Sequence, residues 1–317
     1  MKKTILVIHG GAGNTIQTLT PEELEERRIV LTEALKNGQK ILQSGGSSVD
    51  AVTAAVTVME DSPLFNAGKG AVFTNEGKNE MDACIMDGQT LNSGAVGGVT
   101  KLKNPIKAAN IVMNQSRHVL LISEGAEKFC GLYDAEFVEP DYFYTDFRYR
   151  QLQEALKKDA VFVDHDIPLE EKKANQPNYM GTVGAAALDM HGNLAAATST
   201  GGLTNKKFGR VGDSAVAGAG NYANNDSIAM SATGTGDIFL KVVAGHELHS
   251  LYKYQGMDLK AATAQTLQKV YDLGGHGGII AIDKDGNYCF DMNTAGMYRG
   301  VIIDDGDAII KCFKDEA

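Results

Sequence analysis

The sequence predicts an α+β fold in which two β-sheets pack face to face with helices on their outer surfaces. Three observations carry that expectation. Strand-like segments precede and follow a helical pair in both halves of the chain, the order that layered sheets with outer helices produce. Hydrophobic residues make up 43% of the chain and charged residues 22%, a globular balance. The 36 glycines follow no collagen-like period, so they imply tight turns and close backbone approaches. A length of 317 residues suffices for one large domain or two ordinary ones.

Residues 3–9 read as a short buried strand ended by a turn, His9-Gly10-Gly11-Ala12-Gly13, whose N–H groups are open to a ligand. Thr20 caps a helix that begins at Pro21-Glu22-Glu23 and runs to about Gln43. Ser47 to Asp50 caps a second helix with Val52, Ala55, Val56 and Met59 on its apolar face. Between Glu60 and Gly77 the periodicity fails, yet Leu64, Phe65, Val72 and Phe73 make this a structured loop rather than a linker. Strands follow at 80–86 and 93–99, then a helix at 106–113, a strand at 118–123 and a helix at 149–158. Residues 160–181, polar with two prolines and mixed charge, read as a flexible tether. After it, 182–189 and 193–200 alternate as a hairpin and 227–232 forms another strand. Amphipathic helices cover 237–252 and 258–272, and strands at 279–282, 288–293 and 302–312 close the chain.

A formal net charge of −10 argues against a nucleic-acid surface, which needs clustered Lys and Arg. No stretch reaches the length of a membrane helix, and the opening MKKTILVIHGG has too short an apolar run for a secretory leader. The expected location is therefore the cytoplasm, and the expected partners are small molecules or protein. Cys84, Cys130, Cys289 and Cys312 lie far apart without a CxxC pair, so reduced structural thiols are expected. His246 and His249 are three residues apart rather than the four of a zinc HExxH helix, and no third ligand is in view.

The boundary Gly181-Thr182 admits two readings. Thr182 is the first residue of a buried strand, or it is a latent nucleophile that acts once a chain end is made at its own nitrogen. No histidine has the context of a base for a hydroxyl, whereas a free α-amine with a pKa of about 8 is substantially neutral near pH 7. Glycine before the threonine is the least obstructive neighbour for attack on its carbonyl. Gly209-Arg210-Val211-Gly212-Asp213 is either a surface ion pair or a grip for an α-amino acid, with Arg210 on the carboxylate and Asp213 on the ammonium. Ser231-Ala232-Thr233-Gly234-Thr235-Gly236 offers hydroxyl and N–H donors for an oxyanion, or a phosphate-binding turn before a helix.

Taken together, HGGAG at 9–13, GGSSVDA at 45–51, PLFNAGKGAVFT at 63–74, DACIMDG at 82–88, GTVGAAALD at 181–189, GNLAAATSTGG at 192–202, GRVGDS at 209–214 and ATGTGD at 232–237 resemble the plant-type asparaginase / isoaspartyl peptidase family of N-terminal nucleophile hydrolases. The resemblance covers essentially the whole chain apart from the tether. It implies a four-layer αββα sandwich of two mainly antiparallel sheets, a single domain cut by autoproteolysis into an α subunit 1–181 and a β subunit 182–317, and a dimer of αβ pairs. It implies Thr182 as nucleophile, Thr200 as the hydroxyl that positions it, Thr233 and Gly234 as the oxyanion hole, and Asn66 near the active site. It gives Arg210 and Asp213 the roles that charge suggested. It further implies a structural sodium ion on the carbonyls of Met59, Glu60, Ser62, Phe65, Ala67 and Lys69, with no cofactor for catalysis.

The implied activity is hydrolysis of L-asparagine and of β-aspartyl dipeptides through a β-aspartyl ester on Thr182. Ala215 stands where a proline often follows GRVGDS, away from the chemistry. The alternatives are a glycosylasparaginase, against which the opening HGGAG argues, and a non-catalytic glycine-rich protein binding phosphate through its TGTG and HGG turns.

Overall fold

The structure is a computed structural model that describes residues 3–157 and 181–316. Of the expected tether at 160–181, only Gly181 lies inside the described residues. Among them, twelve strands form two sheets. The larger contains β1 (Ile5–Gly13), β2 (Met81–Asp87), β3 (Ser93–Val99), β4 (Leu120–Ile122), β5 (Val183–Leu188), β6 (Leu194–Thr200), β11 (Gly296–Ile303) and β12 (Ile309–Phe313). Its order is β12-β11-β1-β5-β6-β2-β3-β4, antiparallel except for β3 beside β4. The smaller contains β7 (Asn221–Ala223), β8 (Ile228–Gly234), β9 (Gly277–Asp283) and β10 (Tyr288–Met292), ordered β10-β9-β8-β7 and antiparallel throughout.

Strand alternation divides the core into three apolar layers. On β1, Leu6 and Ile8 join the cluster beneath the helices α1 (Pro21–Gln43), α2 (Ser48–Glu60) and α3 (Pro105–Gln115), while Ile5 and Val7 join the cluster between the sheets. On β5, Val183, Ala185 and Ala187 face those helices, and Ala186 and Leu188 face the smaller sheet. On β8, Ala229 faces the larger sheet, whereas Ile228, Met230 and Ala232 pack under α6 (Gly236–Val242), α7 (Ala244–Lys253) and α8 (Leu259–Asp272). Four layers result, helix, sheet, sheet and helix, as the sequence predicted.

Local signals place the helices where they were expected. Thr20 and Glu23 form a reciprocal capping box at α1, Ser47 caps α2 and Asp258 caps α8. Strand 118–123 shortens to β4, followed by an unforeseen helix α4 (Ser123–Cys130), and α5 spans Asp146–Lys157. Four readings need correction. The HGGAG segment is not a turn: it continues β1 through a bulge between His9 and Gly11, because Gly11, Ala12 and Gly13 pair with Tyr298, Met297 and Gly296. The helix expected at 237–252 breaks at Val243, whose φ of 52° ends α6, and the N–H groups of Gly245 and His246 bond the carbonyls of Ala219 and Gly218. The strand expected at 302–312 is two strands, β11 and β12, separated by a turn at Asp304, whose carboxylate accepts from the Thr4 N–H at 2.7 Å. Finally, β7 was not foreseen.

Candidate active site

The alternation that builds the layers also selects the residues of the site. Positions 182, 198, 200, 231 and 233 share the parity of Ala186, Ala196 and Ala229, which face the space between the sheets. Thr182 stands one residue before β5, and because Val183 pairs with Ser199, the register sets it opposite Thr200 at the end of β6. Both threonines are buried and share one cavity with Gly181, Gly202, Arg210, Asp213, Ser214 and Gly234. That cavity measures ≈ 20 Å³, room for about one water molecule. Larger hollows occur elsewhere among the described residues, one of ≈ 400 Å³ beside α3, but those bring together no such set of opposed hydroxyls, guanidinium and carboxylate. Chemistry rather than size identifies the site.

Gly181 packs against the β1 bulge so closely that a Cβ on Gly11 would lie 2.8 Å from its nitrogen, and Gly11 has φ +110°. Glycine at position 11 therefore lets the peptide before Thr182 lie on the strand. Thr200 Oγ1 accepts from the Gly202 N–H at 2.9 Å, which leaves its own proton free to donate toward Thr182. Gly234, φ +151°, ends β8 against Gly277, where a Cβ would meet the His276 carbonyl at 2.1 Å. Thr233 is fully buried behind it, and its hydroxyl receives the Ala12 N–H at 3.4 Å. Asn66 braces the turn after β6: its Nδ2 donates to the Gly202 carbonyl at 2.8 Å, and its Oδ1 accepts from the Val72 N–H at 3.0 Å.

Arg210 and Asp213 converge over Gly236, where a Cβ would lie 2.6 Å from Asp213 Oδ1 and 2.8 Å from Arg210 Nη2. Arg210 Nη2 donates to Asp237 Oδ2 at 2.9 Å. Burial pushes the Asp213 carboxyl up to about 7, against the pull of the Arg210 charge. Among the described residues, Asp213 Oδ2, Arg210 Nε and Ser214 Oγ are buried without a hydrogen-bond partner. Such groups are costly to leave unpaired, and a guanidinium beside a carboxyl is the chemistry that would suit a ligand bearing charges of both signs.

Sequence reasoning missed Asp237, Ser214 and Lys206. The first two stood in quoted motifs, yet an acid at a helix start reads as capping and a serine after GRVGD carries no charge. Lys206, 2% exposed, donates from Nζ to the Glu80 carbonyl at 2.8 Å beside Gly202, and burial lowers its pKa. Its dense burial has no local signal in the run Asn205-Lys206-Lys207. His9 is no base for Thr182: burial drops its pKa to about 3, and its ring nitrogens face the Thr182 carbonyl and Ser231 Oγ.

The end of α2 and the turn after it carry the carbonyls that the resemblance assigns to a cation. A Cβ at Gly68 would lie 2.3 Å from the Glu60 carbonyl oxygen, and one at Gly70 2.0 Å from that of Phe65. The Ala67 carbonyl accepts one loop N–H, from Gly70, and keeps a second lone pair, whereas the Met59 carbonyl already receives the N–H groups of Asp61 and Ser62. Carbonyl oxygens are the donor type a hard cation prefers. Among the described residues, no group of three or more His, Cys, Asp or Glu is placed to hold a metal ion, and the four cysteines are buried and free. No helix among them is long and apolar enough to cross a membrane.

The sequence model of one protein family, described as asparaginase, matches residues 2–310. The chain is 50% identical over 302 residues to the isoaspartyl peptidase of Escherichia coli (strain K12), covering 94% of this chain and 92% of that one. It is 41% identical over 294 residues to the isoaspartyl peptidase/L-asparaginase of Danio rerio, covering 92% and 90%. It is 36% identical over 315 residues to the probable isoaspartyl peptidase/L-asparaginase 2 of Arabidopsis thaliana, covering 95% and 96%.

Proposed function

The chain belongs to the asparaginase family, and from that premise we propose that it is a threonine-nucleophile enzyme hydrolysing β-aspartyl dipeptides and L-asparagine to L-aspartate. The observation that carries the reading is the convergence of Thr182, Thr200, Arg210 and Asp213 on one cavity whose wall includes Gly181.

Maturation comes first. Thr182 Oγ attacks the Gly181 carbonyl, the C–N bond breaks to leave an ester and a free Thr182 amine, and water hydrolyses the ester. The products are an α subunit 1–181 and a β subunit 182–317. With Gly181 free to leave, the cavity opens beyond its ≈ 20 Å³.

The new amine then takes the Thr182 hydroxyl proton as the oxygen attacks the substrate's β-carbonyl. Thr200 donates to the attacking residue, while the Thr233 hydroxyl and Gly234 N–H stabilise the oxyanion. The amine returns the proton to the leaving nitrogen, so ammonia or an amino acid departs, and water releases L-aspartate from the ester. Arg210 holds the α-carboxylate bidentately and Asp213 the α-ammonium. One aspartyl grip thus serves both substrates. The carbonyls of Met59, Glu60, Ser62, Phe65, Ala67 and Lys69 would hold sodium, whose part is to fix the turn. Assembly as a dimer of αβ pairs and a cytoplasmic location complete the proposal.

Denaturing mass analysis after native incubation tests it. Two fragments are expected, one beginning at Thr182, together with aspartate release from β-aspartyl dipeptides. Thr182→Ala stays intact and inert. A wild-type chain that remains one polypeptide without activity refutes the reading.

A further inference from the structure

A buried polar chain runs between the sheets from the backbone of Thr182 to β7, and the reaction above does not use it. His9 Nδ1 lies 3.1 Å from the Thr182 carbonyl oxygen and Nε2 lies 2.8 Å from Ser231 Oγ. Ser231 Oγ is 2.7 Å from Thr198 Oγ1, which accepts from Asn221 Nδ2 at 3.0 Å. His9, Ser231, Thr198 and Asn221 are all fully buried.

The direction of every bond follows by elimination. A carbonyl only accepts, so Nδ1 carries the ring proton. Burial keeps the ring neutral, so Nε2 accepts and the Ser231 hydroxyl donates to it. Ser231, having given its proton, receives that of Thr198, and Thr198 receives an amide proton of Asn221. The Gly220 carbonyl, at 3.2 Å, is the longer alternative for the Thr198 proton. The chain thereby selects one histidine tautomer, the one that points a donor at Thr182.

A second observation is independent of these distances. A Cβ on Gly184 would lie 2.0 Å from Ser231 Oγ and 2.5 Å from His9 Nε2. Even alanine would wedge the histidine and serine apart, so glycine inside β5 is a condition for the chain.

We infer that Asn221, Thr198, Ser231 and His9 form a positioning device that holds the Thr182 carbonyl, and with it the amine and hydroxyl on the same Cα, during turnover. The inference rests on Thr182 being the nucleophile. Its physical reason is that β5 pairs with β6 only from Val183 onward, so Thr182 lies outside the ladder and loses its covalent anchor when the bond to Gly181 is cut. The His9 N–H supplies an anchor in place of that bond.

Steady-state kinetics of the matured enzyme on a β-aspartyl dipeptide, with maturation followed by mass, tests this. Ser231→Ala is expected to lower kcat roughly tenfold, the loss of about one hydrogen bond's worth of positioning, with KM within about twofold because Arg210 and Asp213 are untouched. His9→Leu should lose more, about a hundredfold, and His9→Asn, whose amide can donate near the Nδ1 position, should recover part of it. An unchanged kcat in Ser231→Ala overturns the inference, as does a KM that rises in step with the fall in kcat or an Asn variant no better than Leu. Where the His9 variants fail to mature, Ser231→Ala alone decides, since it deletes a single hydroxyl. Wild type assayed alongside separates the two readings: an inactive wild type sinks the proposed function, whereas an active wild type with an unimpaired Ser231→Ala sinks only the positioning chain.

Discussion

Arg210 donates from Nη2 to Asp237 Oδ2 at 2.9 Å, while the buried Asp213 beside it keeps one carboxylate oxygen unpaired among the described residues. In the proposed reading the two acids divide the labour: Asp237 holds the guanidinium, and Asp213 takes the substrate ammonium. Asp237 is half exposed, so the ion pair adds little stability, and its consequence is the orientation of the fork. Asp237→Ala should therefore raise KM about threefold to tenfold with kcat nearly unchanged. Arg210→Ala, which removes the charge itself, should lower kcat/KM roughly a hundredfold or more. Steady-state kinetics on both substrates reads the difference, and an unchanged KM in Asp237→Ala would place the orienting contact elsewhere.

Asp213 gives the site a pH dependence of definite sign. Its carboxyl is raised from 3.8 to about 7, chiefly by burial, so the folded protein holds a proton that the unfolded chain has lost. This group's contribution to stability is complete below about pH 4 and declines as the pH rises to about 7. Binding has the opposite preference, since a substrate ammonium requires the carboxylate. Inhibition by L-aspartate should weaken by up to about tenfold per pH unit below 7 and level off above it, with a proton released on binding. Asp213→Asn should bind weakly at every pH without a break near 7. Inhibition constants that stay flat from pH 5 to 8 would mean that Asp213 is already charged in the free enzyme.

What the sequence disclosed and what it hid divide along physical lines. Helix starts are local, so Thr20 before Pro21-Glu22-Glu23 and Ser47 before α2 were readable as caps. Strand parity is local too, and it set Thr182, Thr200 and Thr233 on the faces that meet between the sheets. The HGGAG segment misled because glycines read as a turn, whereas pairing with residues 296–298 makes it strand. The same distance hid His9: its partner Ser231 lies 222 positions away, and no spacing rule reaches that far. Asp237 was hidden differently. An acid in the first turn of a helix has an ordinary explanation, and only the fold brings it to Arg210.

Gly68 is constrained twice in the loop assigned to sodium. Its φ of 51° lies in the left-handed region, and a Cβ there would stand 2.3 Å from the Glu60 carbonyl oxygen, one of the oxygens proposed to face the cation. Gly68→Ala therefore meets two penalties, backbone strain of about 1–3 kcal/mol and a clash that pushes this carbonyl aside. At about 1.5 °C per kcal/mol for a chain of this size, the midpoint of thermal unfolding should fall by about 3–6 °C. Sodium sharpens the test. A cation bound only by the folded loop raises the midpoint with its concentration, whereas tetramethylammonium, too large for a carbonyl cradle, supplies the same ionic strength without binding. The wild type should unfold at higher temperature in sodium chloride than in tetramethylammonium chloride, and Gly68→Ala should lose that difference along with its baseline stability. Equal midpoints for the wild type in the two salts would remove sodium from the loop. A variant that is less stable yet keeps the full sodium increment would reduce Gly68 to a steric requirement and leave the cation to the other carbonyls.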